Sequence, residues 1–111
     1  MTLEGLTEAV RLFAMERDWE QFHTPKNLAM AVAGEAGELA AELQWLTAEE
    51  SVALAPEKSR AVANEMADVL IYLCRMADVM GVDLLETAFA KLRADADRYV
   101  AGDVRGSAEK R

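Results

Sequence analysis

Leu28-Ala29-Met30-Ala31-Val32-Ala33-Gly34-Glu35-Ala36-Gly37-Glu38-Leu39-Ala40-Ala41-Glu42-Leu43 decides the fold of this chain. Alanine, leucine and methionine dominate the run and favour helix. Its only charges are Glu35, Glu38 and Glu42, all of one sign. Glu35 and Glu38 share a helical face one turn apart, and no lysine or arginine in the run offsets their repulsion. A solvated face ordinarily mixes both signs. Ala61-Val62-Ala63-Asn64-Glu65-Met66-Ala67-Asp68-Val69-Leu70-Ile71-Tyr72-Leu73-Cys74 repeats the arrangement, with Glu65 and Asp68 as its only charges. At about 100° per residue, Glu65, Asp68 and Tyr72 line one stripe, while Met66, Leu70 and Leu73 cover another face. A helix apolar nearly all round is expected to be buried, by neighbouring subunits as well as by its own chain.

Outward from these runs the punctuation is also helical. Thr24 is an N-cap with Pro25 at the first helical position, so a second helix is expected over 25–46. Ahead of it, 3–18 reads as a first helix with Leu6, Val10 and Phe13 on one stripe, and 19–24 breaks the pattern. In the connector 47–56, Thr47 and Glu50 form a capping box for one short turn. Pro56 opens a third helix ending near Gly81, an expected left-handed cap. Asp83 caps a fourth that runs to about Tyr99. The polar residues 102–111 read as a mobile tail. The expectation is an all-α bundle of three long helices and one shorter one, a domain over 1–101, with its core completed by oligomerisation.

Composition narrows the function. The chain has 111 residues, of which 52% are hydrophobic and 29% charged, a globular balance in one small domain. No apolar run approaches the ~18 residues of a membrane span, and no basic leader opens the sequence. The single cysteine, Cys74, has no internal disulfide partner and fits a reducing cytoplasm. A net charge of −8 argues against a nucleic-acid polymer as partner. Most of the 20 acidic residues are surface charge. The two carboxylate pairs are not explained that way.

Burying four carboxylates unpaired would cost several kcal/mol each or force them to protonate. A hard divalent cation removes that cost, and Mg²⁺ takes oxygen ligands, keeps several waters and binds substrate phosphates as well. Two E-x-x-E/D pairs on facing helices would make such a cage; the alternative for each pair is a plain polar stripe. Gly34 and Gly37, unfavourable in a helix interior, leave room beside the glutamates for a ligand or another helix. A di-iron site usually needs a Glu-x-x-His pair on each of two helices, and the sole histidine, His23, falls in a loop. No nucleophile set or phosphate-cradling glycine loop can be assembled. Aromatics are scarce, yet Trp19, Phe22 and His23 crowd ahead of the second helix, Trp45 ends it, and Tyr72 shares the Glu65/Asp68 stripe. Such flat faces suit a nucleobase, which gains roughly 1–3 kcal/mol by stacking, although each tryptophan is equally readable as core filling.

These residues resemble the MazG-like all-α nucleotide pyrophosphohydrolases, and most of all their dCTP pyrophosphatase branch. The family's E-x-x-E pair followed by E-x-x-D stands here as Glu35/Glu38 and Glu65/Asp68. The branch is matched further by Glu16-Arg17-Asp18-Trp19-Glu20-Gln21-Phe22-His23, Pro25, Asn27-Leu28 and Gln44-Trp45. The resemblance implies that Glu35, Glu38, Glu65 and Asp68 hold Mg²⁺ and that Trp19, Phe22, His23, Trp45 and Tyr72 enclose base and sugar. It implies cleavage of a nucleoside triphosphate to the monophosphate and pyrophosphate, in dimers or tetramers with sites built between chains. Departures are Val10, where relatives often carry histidine, and Asp95, where they carry asparagine. The tail Gly106-Ser107-Ala108-Glu109-Lys110 resembles a segment that closes over phosphates.

The resulting expectation is a Mg²⁺-dependent hydrolase of dCTP or a modified dCTP. Glu38 orients or deprotonates the attacking water, and Lys91, Arg98 and Lys110 neutralise the leaving pyrophosphate. The competing reading is a non-catalytic helical interaction module; within the enzyme class, dUTP or broad nucleotide hydrolysis is the alternative.

Overall fold

A computed structural model describes residues 1–110. The helices are α1 (Leu3–Glu16), α2 (Pro25–Leu43), α3 (Ala48–Ser51), α4 (Pro56–Met80), α5 (Leu84–Arg98) and α6 (Ala101–Val104), with a 3₁₀ turn at Glu20–Phe22. The all-α class is as expected. The count differs: four helices are long, and two single-turn helices accompany them. One of these, α3, is the turn set by the Thr47–Glu50 capping box, whose two reciprocal hydrogen bonds are both formed. The other, α6, lies where the polar tail was expected to begin, started by the extended backbone of Val100.

Both early helix ends have local causes. α1 stops at Glu16 rather than at residue 18 because Asp18 takes a left-handed conformation, φ 55°. Asp is among the few non-glycine residues that visit that region routinely. The turn is held by the Trp19 N–H donating to Ala14 O at 2.9 Å and by the Gln21 amide donating to both Asp18 O and Oδ2 at 3.0 Å. α2 stops at Leu43 rather than at residue 46, since Thr47 must be extended (ψ 165°) to cap α3. The other boundaries follow their signals: Thr24 accepts from Asn27 N with Pro25 next, Gly81 is left-handed at φ 68°, and Asp83 accepts from Glu86 N.

Among the described residues, 1–81 and 82–110 form two compact units. In the first, α4 packs against both α1 and α2. Glu42 meets Lys58, and His23 meets Arg75 further back along the chain, so α2 and α4 run antiparallel. Each of the three helices contributes one buried apolar residue, Ala14, Leu28 and Cys74. Two neighbours cannot wrap a whole helix. Met66, Leu70 and Leu73 on α4 are 57%, 42% and 36% exposed, so the enclosure expected of this helix is not supplied by its own chain. The second unit holds α5 and α6. Among the described residues, no helix is long and apolar enough to cross a membrane.

Candidate active site

The antiparallel crossing of α2 and α4 brings both members of one acidic pair, Glu35 and Glu38, against Glu65 of the other. Carboxylate oxygens of Glu35, Glu38 and Glu65 lie within 4.8 Å of one another, with Glu35 and Glu65 half-buried and Glu38 exposed at the rim. Glu35 Oε2 and Glu65 Oε2 are buried without a hydrogen-bond partner among the described residues. Burial pushes the Glu35 carboxyl above the ordinary carboxylate range, and the hydrogen bond and charge of Glu38 push it further. Burial raises Glu65 as well, followed by repulsion from Glu38 and by its hydrogen bond. Asp68, also half-buried, adds repulsion to both, but its carboxylate lies outside the three-residue group.

Glu42 belongs to the same helix face, yet its Oε2 accepts from Lys58 Nζ at 2.9 Å. That pair leaves Glu35, Glu38 and Glu65 as the unneutralised group. Buried oxygens without donors are costly, and a hard divalent cation supplies what they lack. The donor set, all carboxylate oxygen, fits such an ion.

The expected aromatic residues are disposed unevenly. Trp19 meets Phe13 edge to face, ring centres 5.7 Å apart, and the Arg17 guanidinium stacks 3.6 Å over the other ring. Phe22 and Trp45 are 58% and 88% exposed, so neither is core filling within this chain. Tyr72 is half-buried on the Glu65/Asp68 stripe. A Cβ added at Gly34 or Gly37 would meet open space, so no other helix of the first unit approaches closely there. Lys91, Arg98 and Lys110 all belong to the second unit, where Lys91 Nζ donates to Asp95 Oδ1 and Arg98 lies 5.2 Å from the Tyr99 ring centre.

His23 is tied into a network that sequence reading missed. Its Nδ1 accepts from Arg75 Nε at 2.9 Å, and Arg75 Nη1 donates to Asp78 Oδ2 at 3.1 Å. Arg11 grips Asp78 with two bonds, 2.8 Å from Nε and 2.7 Å from Nη2. Arg75 is only 6% exposed, the one buried charged residue among those described. Hydrogen bonding from Arg11 holds Asp78 below its ordinary range, while burial and then the Arg75 charge lower His23. One signal was available: Arg75 continues the 3-4-3 spacing of Glu65, Asp68 and Tyr72, with Asp78 one turn further.

No protein-family model matches the chain. It is 43% identical over 109 residues to dCTP pyrophosphatase 1 of Bos taurus, which is 96% of this chain and 64% of that protein. The dCTP pyrophosphatase 1 of Homo sapiens is 42% identical over 111 residues, 98% of this chain and 65% of that one. The chain thus spans just under two thirds of the length of these relatives. Among solved structures, a pyrophosphatase from Archaeoglobus fulgidus superposes with a TM-score of 0.82 at 34% identity, covering 87% of this chain and 91% of that one. The shared all-helical fold, with Glu35, Glu38 and Glu65 brought together on antiparallel helices, places the chain in the class of α-helical pyrophosphatases. The chain belongs to the MazG-like all-α branch of that class.

Proposed function

We propose that the protein is a Mg²⁺-dependent hydrolase that cleaves dCTP, or a modified dCTP, to the monophosphate and pyrophosphate. The observation that carries this reading is the Glu35–Glu38–Glu65 cluster with its two buried, unpartnered oxygens, in a chain 43% identical to a dCTP pyrophosphatase. Glu35, Glu38, Glu65 and Asp68 would hold Mg²⁺. When bound, the ion neutralises phosphate charge and makes water more acidic. Glu38, the exposed member of the cluster, orients a water for in-line attack on the α-phosphorus and takes its proton on a carboxylate oxygen. The bond from that phosphorus to the bridging oxygen breaks, and pyrophosphate leaves. Trp19, Phe22 and Tyr72 offer flat faces for base and sugar toward the His23 end of α2, and Trp45 offers one at the opposite end of that helix, about 28 Å along its axis. This reading rests on residues of the first unit alone.

A homo-oligomer belongs to the same reading: α4 exposes Met66, Leu70 and Leu73, surface that a second copy would cover. A cytoplasmic location accords with Cys74, which is buried and free. Assay of pyrophosphate release from a panel of deoxynucleoside and ribonucleoside triphosphates, with and without Mg²⁺, tests the proposal. Metal-dependent release, fastest with dCTP or its 5-substituted forms, is expected. Preference for dUTP or equal rates would move the assignment within the class, and no release from any substrate would favour the non-catalytic module. Glu35→Gln and Asp68→Asn should each abolish turnover while retaining helicity by circular dichroism.

A further inference from the structure

Arg75 stands seven residues beyond Asp68 on the same stripe of α4, two turns or about 10.5 Å along the axis. Tyr72 lies between them. Glu65, the α4 member of the carboxylate cluster, is ten residues from Arg75, about 15 Å along the axis, a span that an extended nucleotide with its phosphates at the cluster would have to cover to bring its base to that end of the helix. What faces it there is set by the bond from Arg75 Nε to His23 Nδ1, 2.9 Å. Arginine is always protonated and can only donate, so Nδ1 must be the unprotonated acceptor. The single proton of a neutral imidazole then sits on Nε2. Arg75 cannot readily swing away. Asp78 accepts from its Nη1 at 3.1 Å and is itself held by Arg11 at 2.8 and 2.7 Å. No other described residue takes a hydrogen bond from Nε2, and His23 is partly exposed.

We propose that Arg75 is a positioning residue: clamped by Asp78 and Arg11, it pins His23 as the Nε2–H tautomer, and that N–H is offered to a carbonyl oxygen of the nucleobase. The proposal rests on the nucleotide reading above. An uncharged donor suits an uncharged acceptor. The triphosphate belongs nearly three turns away, where the carboxylate cluster is. A protonated imidazole would lose the Arg75 bond and face a second cation, and His23 is accordingly held below its ordinary range by burial and by Arg75.

His23 is the only histidine, so a long-range ¹H–¹⁵N correlation spectrum of the intact protein reports its tautomer without ambiguity. At pH 7 we expect Nδ1 unprotonated and Nε2 protonated. The Nε2 signal should move on adding dCMP and stay in place with inorganic tripolyphosphate. An Nδ1–H tautomer, an imidazolium, or a response to tripolyphosphate alone would overturn the proposal. In kinetics with dCTP, His23→Ala should raise KM about 10-fold, the scale of one hydrogen bond to a neutral group, with kcat changed less. His23→Gln, which keeps a side-chain N–H, should recover part of that loss. Arg75→Met should raise KM like His23→Ala, and the double variant should add nothing further. Independent, additive effects would overturn it. Should Arg75→Met fail to fold, the wild-type spectrum and the two His23 variants carry the test. Should the wild type release no pyrophosphate from any substrate, the activity reading fails, while the tautomer measurement, needing no turnover, still judges the Arg75–His23 contact.

Discussion

Two groups of charged side chains are anchored on the same helix, α4, and they follow opposite rules. At the Glu65 end, carboxylates face carboxylates: Glu35, Glu38 and Glu65 gather within 4.8 Å, two of their oxygens unpartnered. Toward the C-terminal end signs alternate, and Arg11, Asp78, Arg75 and His23 form a chain in which each contact is a donor meeting an acceptor. The second group is what a folded chain does to make buried charge tolerable. The first leaves its charge unresolved in the polypeptide, which is what a site awaiting a cation requires. The contrast separates a group suited to a cation from a group that holds a side chain in place, although both are anchored on one stripe of α4.

The largest expected effect breaks the first group. Glu65→Gln should lower turnover of dCTP about 1,000-fold, the scale of losing metal-assisted charge stabilisation. Without Mg²⁺ the same variant should melt at a higher temperature than wild type, because a repelling charge is gone. Added Mg²⁺ should raise the wild-type melting temperature and leave that of the variant nearly unchanged. A variant that kept full activity would remove Glu65 from the site.

Breaking the second group at Asp78 should show first as lost stability. Asp78→Ala strands the buried Arg75 charge and is expected to cost about 3 kcal/mol in denaturant titration. A loss within a few tenths of a kcal/mol would mean that the network is solvated and positions nothing.

Acid should sharpen the comparison, since the two groups respond with opposite sign. Glu35 and Glu65 have folded values raised above the ordinary 4.5 of a glutamate, so the folded state holds their protons more tightly. Their contribution therefore improves as pH falls through the raised folded values, and it is lost as pH rises through that window. Asp78, lowered from 3.8, contributes stability that is present above its unfolded value and disappears as pH falls through the folded one. His23, lowered from 6.5, also costs stability once pH drops below the unfolded value. Melting curves of wild type and Glu35→Gln/Glu65→Gln, compared across pH 3–8, should converge on acidification without Mg²⁺. Parallel curves would show that the cluster does not repel.

The smallest effect concerns the open space beside the glutamates. Gly34→Ala meets no atom within 4 Å, so it should stabilise the helix by roughly 0.5–1 kcal/mol. Unchanged turnover in that variant would mean neither a ligand nor a second copy uses the gap.

Much of this was legible before any coordinates. Thr24-Pro25, the Thr47–Glu50 box, Gly81 and Asp83 each mark a boundary through bonds that span four residues or fewer, and local bonds are what a sequence spells out. The ends of α1 and α2 were not. Asp18 turns left-handed where a glycine would have announced it, and Thr47 truncates the helix before it by its need for extended backbone. The uncharged surroundings of Glu35, Glu38, Glu65 and Asp68 were visible as pattern, and the role of each as a ligand stays a proposal. Arg75 escaped notice because its partner His23 is 52 positions away.

The sequence by itself determined that the chain is helical, where most helices start, and that four carboxylates stand in apolar runs without cations beside them. Those are consequences of propensity, capping and one-turn spacing, all short-range. The tertiary structure decided which carboxylates meet and which do not. Glu42, alike in sequence to its neighbours, is neutralised by Lys58, while Glu35, Glu38 and Glu65 converge and Asp68 stands just outside. It also decided that His23 presents Nε2 rather than Nδ1, a choice made by a guanidinium arriving from another helix. Charge and tautomer at a site depend on distances between side chains, and only the antiparallel crossing of α2 and α4 sets those distances.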